Sequence, residues 1–261
     1  MRLDQYLVAE GYFPSRSKAK KAIEDGKVLV DGKLAKASFL LSGSESIEVL
    51  PEEVQFVSRG GFKLLHALEV FGISVTGRRA LDIGASTGGF TDCLLQRGAA
   101  QVVAVDVGRD QLDESLKHDP RVISLEKTNI RELQPEAVGR FDIITIDVSF
   151  ISLTKFADRL PLFLRETGDV VALIKPQFEA GPENVGKGGL VKDPKVHLEV
   201  LENVIRAFAD AGLYAWGAAY SPIAGGSGNI EFLGWFRLQE NTDPGYDLKS
   251  IVAEANMQVI R

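Results

Sequence analysis

The stretch Arg79-Ala-Leu-Asp-Ile-Gly-Ala-Ser-Thr-Gly-Gly-Phe90 decides the fold. It opens as an apolar strand and ends in a turn with glycines at 84, 88 and 89. Glycine permits positive φ and lets the backbone approach a ligand closely. A helix beginning just after, near residues 88–97, turns its free N–H groups into the same crevice. A dinucleotide loop reads G-x-G-x-x-G, but here residue 86 is Ser and Asp82 stands immediately before the turn. On this reading the tight turn that hugs a diphosphate is lost, and a carboxylate is aimed at the ligand. A cation without phosphate suits that setting, and S-adenosylmethionine (AdoMet), with its sulfonium and ammonium, is one. Taken alone, the loop also fits a different nucleotide or a structural turn.

Outward from this loop, apolar runs recur at Gln101–Asp106, Arg121–Leu125, Phe141–Asp147 and Asp169–Lys175. Helical segments are expected near 88–97, 109–117, 154–165 and 193–212. Strands alternating with helices at this spacing predict an α/β fold, a mostly parallel Rossmann-like sheet with helices on both faces. Its ligand crevice lies beyond the carboxyl ends of the strands, which carry Asp82, Asp106, Asp147 and Lys175. Asp106 lies 22 residues past Gly84, where an acid accepts hydrogen bonds from ribose hydroxyls.

The first fifty residues differ in character. They are short in period and carry eight cations against seven acids, whereas the whole chain of 261 residues has a net charge of −6. The cations concentrate in Ser15-Arg-Ser-Lys-Ala-Lys-Lys21, which reads as a helix capped by Ser15 or Ser17 and running to about Asp25. Lys27–Lys33 reads as a strand ending in an Asp-Gly turn, and Ser46–Leu50 as a closing strand. We place a small α+β domain at 1–50, a linker at 51–57, a larger domain at 58–240 and a helical tail at 241–261. By itself, such a charge run most often marks a solvated helix face.

Composition narrows the classes. One cysteine, Cys93, cannot form an internal disulfide, and three scattered histidines suggest no metal cluster. The uncharged window Ala211–Ile230 is long enough to span a bilayer, but nine of its residues are Gly, Pro, Ser or Asn. It reads as strand, glycine loop and strand, so neither a span nor stable membrane association is expected, and the expected location is cytoplasmic. The glycine-rich run Ala180–Gly189 fits a mobile lid or a plain surface loop.

Four residues sit in unusual settings: Lys63 in Ser58-Arg-Gly-Gly-Phe-Lys63, Asp147 in Ile146-Asp-Val-Ser-Phe150, Lys175 in Leu173-Ile-Lys-Pro-Gln-Phe178, and Glu231 after Gly225-Gly-Ser-Gly. Each alone reads as a salt-bridged residue at a strand end. Together, with the loop at 81–90 and Ile-Lys-Pro-Gln-Phe-Glu179, they resemble the Lys-Asp-Lys-Glu tetrad of the FtsJ-like ribose 2′-O-methyltransferases. The stretch from Arg2-Leu-Asp to Val30-Asp-Gly resembles the S4 RNA-binding module. The whole chain, to about residue 238, is similar to the TlyA-type proteins, known both as haemolysins and as ribosomal RNA cytidine 2′-O-methyltransferases.

The resemblance implies AdoMet as cofactor without a metal, and ribosomal RNA or ribosomal subunits as partner. It implies catalysis by Lys63, Asp147, Lys175 and Glu231. Cofactor contacts are expected from Asp82, Gly84, Ser86, Thr87, Gly88, Gly89, Phe90, Asp106, Asn129 and Asp147. RNA contacts are expected from Arg2, Arg16, Lys18, Lys20, Lys21 and Arg59. Lys175 would stabilise the developing alkoxide of a sugar hydroxyl, or take its proton if a second cation such as Lys63 lowers its pKa, with Asp147 and Glu231 fixing its orientation and balancing charge. A membrane-active protein, an RNA-binding protein with a vestigial site and a small-molecule methyltransferase are the competing classes.

Overall fold

The computed structural model describes residues 1–24, 26–49, 55–243 and 245–258. Two compact units divide between Gln55 and Phe56. The linker expected at 51–57 lies mostly outside the described residues, as does Asp25 at the expected helix end. Phe56 and Val57, assigned to that linker, instead pack against the core of the second unit, and the Val57 amide donates to the Asp92 carboxylate.

The first unit comprises α1 (Leu3–Ala9), α2 (Arg16–Glu24) and a three-stranded antiparallel sheet of β1 (Val28–Val30), β2 (Lys33–Leu34) and β3 (Ile47–Val49). Val30 pairs with Lys33, leaving Asp31-Gly32 as a two-residue turn with positive φ at both positions. That twist matches the strands it joins. Ala19, Ala22 and Ile23 form the apolar stripe of α2 and bury against Leu3, Leu7, Val28 and Val30. Asp4 is buried, and it is held by the guanidiniums of Arg2 at 3.0 Å and Arg16 at 2.7 Å. These bonds keep its carboxyl down at about 2.

The second unit is a seven-stranded sheet flanked by helices. In chain order its elements are α3 (Gly60–Val70), β4 (Arg79–Ile83), α4 (Gly89–Gln96), β5 (Gln101–Val105), α5 (Glu114–Lys117), β6 (Val122–Leu125), α6 (Pro135–Val138) and β7 (Phe141–Ile146). There follow α7 (Leu160–Phe163), β8 (Leu164–Ile174), α8 (Pro176–Glu179), α9 (Pro194–Asp210), β9 (Tyr214–Tyr220), β10 (Phe232–Arg237) and α10 (Leu248–Gln258). The strand order is β6-β5-β4-β7-β8-β10-β9, with β10 antiparallel to both its neighbours and the other pairings parallel. The order reverses between β4 and β7, the switch point at which such sheets open a crevice.

Two helices are shorter than the sequence predicts. At 109–117 only α5 forms, because Asp110 takes positive φ and Asp113 caps the chain anew through the Ser115 amide. At 154–165 two 3₁₀ turns, Leu153–Lys155 and Ala157–Arg159, precede α7, where Pro161 occupies the first turn. β8 then starts at Leu164, five residues before the expected Asp169. α9 follows its expectation closely, capped by Asp193, and buries His197, Val200, Leu201, Val204 and Phe208 along one face.

Residues 245–258 are not a detached tail. Val252 and Ala255 of α10 are buried in the main core, and Tyr220 donates to Gln258 at 2.6 Å. The larger domain therefore continues through α10, past the expected limit at 240. The glycine run after Lys175 is likewise built. The Asn229 side-chain amide donates to the Gly189 carbonyl and its Oδ1 accepts from the Val191 amide, pinning 189–191 to the loop before Glu231.

Candidate active site

Close approach of two helix starts shapes the crevice. A side-chain carbon on Gly89 would lie 2.9 Å from the Gly61 amide nitrogen and against the Ser58 hydroxyl, so α3 and α4 meet only with glycine there. On Gly61 it would fall within the Phe56 ring. This is the physical requirement behind Gly61 and Gly89. Gly84 takes φ +83, and a side-chain carbon added there would lie 2.5 Å from the Asp147 carbonyl oxygen. The Asp147 amide donates to the Ile83 carbonyl at 2.9 Å. The glycine turn and the start of the β7 exit loop are thereby locked together.

Ser86 occupies the position of the missing glycine. It takes φ +49, the left-handed conformation glycine would supply, so the tight turn is kept rather than lost. Its amide donates to Asp106 Oδ2 at 2.8 Å, while Asp106 Oδ1 accepts from Gly108 at 2.7 Å. Each carboxylate oxygen has a second lone-pair direction, so Asp106 can still receive a hydroxyl.

Asp82 corrects the sequence reading. Its side chain is fully buried and accepts hydrogen bonds from Thr91 Oγ1 at 2.7 Å and Thr145 Oγ1 at 3.0 Å. It supports the turn from below instead of facing a ligand. Burial pushes its carboxyl up to about 7, against the opposing effect of the two threonines. The acids that line the crevice are Asp147 and Asp106.

Two adjoining cavities share Gly84, Ser86 and Asp147. One, of about 230 Å³, is lined by the glycine turn together with Arg59, Gly60, Lys63, Thr87, Gly89 and Phe90. The other, of about 460 Å³, is walled by Ile83, Val107, Ile130 and Phe156, with Asp106 and Asn129 among its polar groups. Asn129 Oδ1 caps the Arg131 amide at 3.1 Å. Gly88, although in the turn, faces Leu112 and Leu116 and lines neither cavity.

The four tetrad candidates form two ion pairs. Lys175 Nζ stands 2.6 Å from Asp147 Oδ1, an ionic approach off the hydrogen-bond direction, and donates to Ser149 Oγ at 3.0 Å. Lys63 Nζ donates to Glu231 Oε2 at 2.5 Å, both side chains being nearly buried. Glu231 thus orients Lys63 and not Lys175, and it partly offsets the charge expected to act on Lys175. Register explains the placement. Phe232 pairs with Ile174, and Ser221 donates its amide to the Glu231 carbonyl, so Glu231 and Lys175 leave neighbouring strands at one edge of the crevice. Gly225 makes room for the Glu231 carboxylate, which would lie 2.4 Å from an added side-chain carbon.

Of the expected RNA contacts, Lys18 and Lys21 are exposed, and Lys20 is exposed with a loose i,i+4 partner in Glu24 at 3.6 Å. Arg2 and Arg16 are committed to Asp4, so they hold the helices together and offer only their outer edges. Arg59 is exposed at the rim of the smaller cavity.

Sequence reasoning missed three groups here. Ser149 contacts Lys175. Phe150, 91% exposed and at φ +65, stands against Phe178. Glu179 accepts from Ser152 Oγ at 2.6 Å and the Leu153 amide at 2.8 Å, tying α8 to the loop after β7, and burial raises its carboxyl. The adjacency of Ser149 and Phe150 to Asp147, and of Glu179 to Lys175 in its motif, was the hint that sequence offered.

A seven-stranded sheet with β10 reversed between β8 and β9, a glycine turn at the switch point and an acid-paired lysine beside it define a Rossmann-like methyltransferase. The chain belongs to the FtsJ-like methyltransferase family, which matches residues 56–238, and an S4 domain matches residues 1–47. It is 46% identical over 253 residues to the 16S/23S rRNA (cytidine-2′-O)-methyltransferase TlyA of Mycobacterium tuberculosis, covering 96% of this chain and 94% of that protein. It is 44% identical over 242 residues to Hemolysin A of Brachyspira hyodysenteriae, covering 90% and 99%. A solved structure described as a hemolysin from Streptococcus thermophilus superposes with a TM-score of 0.75 at 41% identity, over 99% of this chain and 96% of that one. Among the described residues, no helix is long and apolar enough to cross a membrane, and no group of three His, Cys, Asp or Glu side chains is placed to hold a metal ion.

Proposed function

We propose that the protein transfers a methyl group from AdoMet to a ribose 2′-hydroxyl of ribosomal RNA, on a cytidine. The observation that carries this reading is the Lys175–Asp147 pair, whose acid lines both cavities beside the glycine turn. AdoMet, when bound, supplies an electrophilic methyl on a sulfonium. The apolar walls of the larger cavity suit an adenine ring, Asp106 suits its ribose hydroxyls, and the smaller cavity with Asp147 suits the charged methionine end.

Lys175 is the group placed to receive the 2′-hydroxyl proton. Asp147 holds that amine in place and balances the ammonium formed. Lys63, fixed by Glu231, lines the smaller cavity and presents a rigid cation near the attacking oxygen, where it offsets developing negative charge. Positioning then carries much of the rate. Phe150 offers an exposed ring on which an extruded base can stack. Lys18, Lys20 and Lys21 supply phosphate contacts, which give affinity and placement with little sequence reading.

The test is transfer of labelled methyl from AdoMet to ribosomal subunits and to naked ribosomal RNA, followed by alkaline hydrolysis. A 2′-O-methyl group blocks cleavage of the adjoining phosphodiester, so label in alkali-resistant dinucleotides is expected. Label in mononucleotides, or none in RNA, overturns the reading.

A further inference from the structure

Lys175 has three hydrogen positions on its ammonium; one donates to Ser149, and an ionic neighbour, Asp147, fills a second side. Asp147 Oδ1 lies 2.6 Å away and Ser149 Oγ accepts at 3.0 Å. The Phe178 ring covers another side, with Nζ 5.9 Å from its centroid. The side chain is only 11% exposed, so one narrow direction is left open. Asp147 and Ser149 are two residues apart in the loop that leaves β7, and both side chains reach Lys175 Nζ. The segment is held again at its far end, where Glu179 accepts from Ser152 and Leu153.

A neutral amine has two N–H bonds and one lone pair. The hydrogen bond to Ser149 fixes the rotation about Cε–Nζ, and with the Asp147 carboxylate filling a second side the lone pair takes the remaining direction. With Asp147 alone, the amine rotates about its Cε–Nζ bond, and the lone pair faces the substrate only part of the time.

We propose that Ser149 is a positioning residue for methyl transfer: its hydroxyl is the hydrogen-bond acceptor that aims the Lys175 lone pair at the attacking oxygen. This rests on the function proposed above. In the step it serves, the 2′-O–H proton passes to Lys175 Nζ. The freed oxygen pair forms the new O–CH₃ bond, and the S–CH₃ bond breaks with its electrons left on sulfur, giving S-adenosylhomocysteine. The resulting ammonium donates to Ser149 and the product oxygen, and Asp147 balances its charge. Ser149 touches neither the methyl nor the oxygen in this account, and its effect passes wholly through Lys175.

The experiment compares Ser149→Ala and Ser149→Thr with the wild-type chain, using labelled AdoMet and ribosomal RNA at saturation. Ser149→Ala is expected to lower kcat about tenfold, the scale of losing one hydrogen bond to a charged group. KM for RNA and the AdoMet dissociation constant stay within about twofold. Ser149→Thr, which keeps the hydroxyl, recovers most of kcat. An unchanged kcat for Ser149→Ala, a loss confined to KM or AdoMet affinity, or equal losses for the Ala and Thr variants would overturn the proposal. Wild-type chain that transfers no methyl to RNA overturns the underlying function instead, which keeps the two failures apart.

Discussion

Removing the cation of the Lys63–Glu231 pair separates its structural from its chemical role. In Lys63→Met the ammonium is lost and the stem is roughly kept, so Glu231 is left in a site where its side chain is only 3% exposed. Its one other side-chain hydrogen bond is from Gln177 Nε2, at a long 3.5 Å. Orphaning a buried charge of this kind costs about 3–5 kcal/mol. For a unit of this size that corresponds to a fall in Tm of roughly 6–20 °C. The double variant Lys63→Met/Glu231→Gln removes both charges, and its stability returns to within about 1 kcal/mol of wild type, since a buried pair replaced as a whole is often neutral. Methyl transfer does not return, because the cation that Lys63 presents to the cavity is still missing. Urea unfolding gives the stabilities, and labelled transfer to RNA at saturating AdoMet gives the activities. A single variant as stable as wild type, or a double variant with wild-type turnover, would refute the assignment.

Other consequences are as direct. Gly84→Ala forces a side chain onto a φ of +83 and into the Asp147 carbonyl, so stability falls by about 1–3 kcal/mol and AdoMet affinity, read by calorimetry, falls with it. Asp82 has a folded-state value of about 7 against an ordinary one of 3.8, so the folded state binds the extra proton between these values. Its contribution to stability therefore declines as pH rises from about 4 to 7 and then levels off, and Asp82→Asn flattens that slope in chemical unfolding. Asp4 has the opposite sign. With its folded value at about 2, its contribution is full above about pH 4 and is lost as pH falls toward 2, and Asp4→Asn removes this acid-dependent part. Replacing Lys18, Lys20 and Lys21 by Gln lowers RNA affinity across sequences. It also reduces the slope of log affinity against log salt by about 0.7–0.9 for each phosphate no longer neutralised.

The legible part of this fold was the glycine turn and the strands that follow it. Their apolar runs are long and uninterrupted, and the register of a parallel sheet places Asp106, Asp147 and Lys175 at the same edge. The direction of Asp82 was hidden because β4 is covered on both faces. Ala80 faces one core and Leu81 and Ile83 the other, so no polar alternation marks which way Asp82 points. The conformation of Ser86 was hidden because serine gives no local signal for positive φ. The pairing of Lys63 with Glu231 joins residues 168 apart in the chain, and no periodicity carries that. α3 escaped notice because its Gly60-Gly61 start has poor helix propensity, and packing against Gly89 overrides it. The packing of α10 was missed for a like reason, since its apolar positions are few and become informative only beside the core they cover.

The central claim is that Lys175 takes the proton and does not hold the cofactor. Lys175→Met, measured for AdoMet binding by calorimetry and for labelled methyl transfer to ribosomal RNA, tests it most directly. The account predicts binding within a few-fold of wild type and transfer reduced to background. Transfer at a wild-type rate, or a loss explained wholly by failure to bind AdoMet, would contradict it.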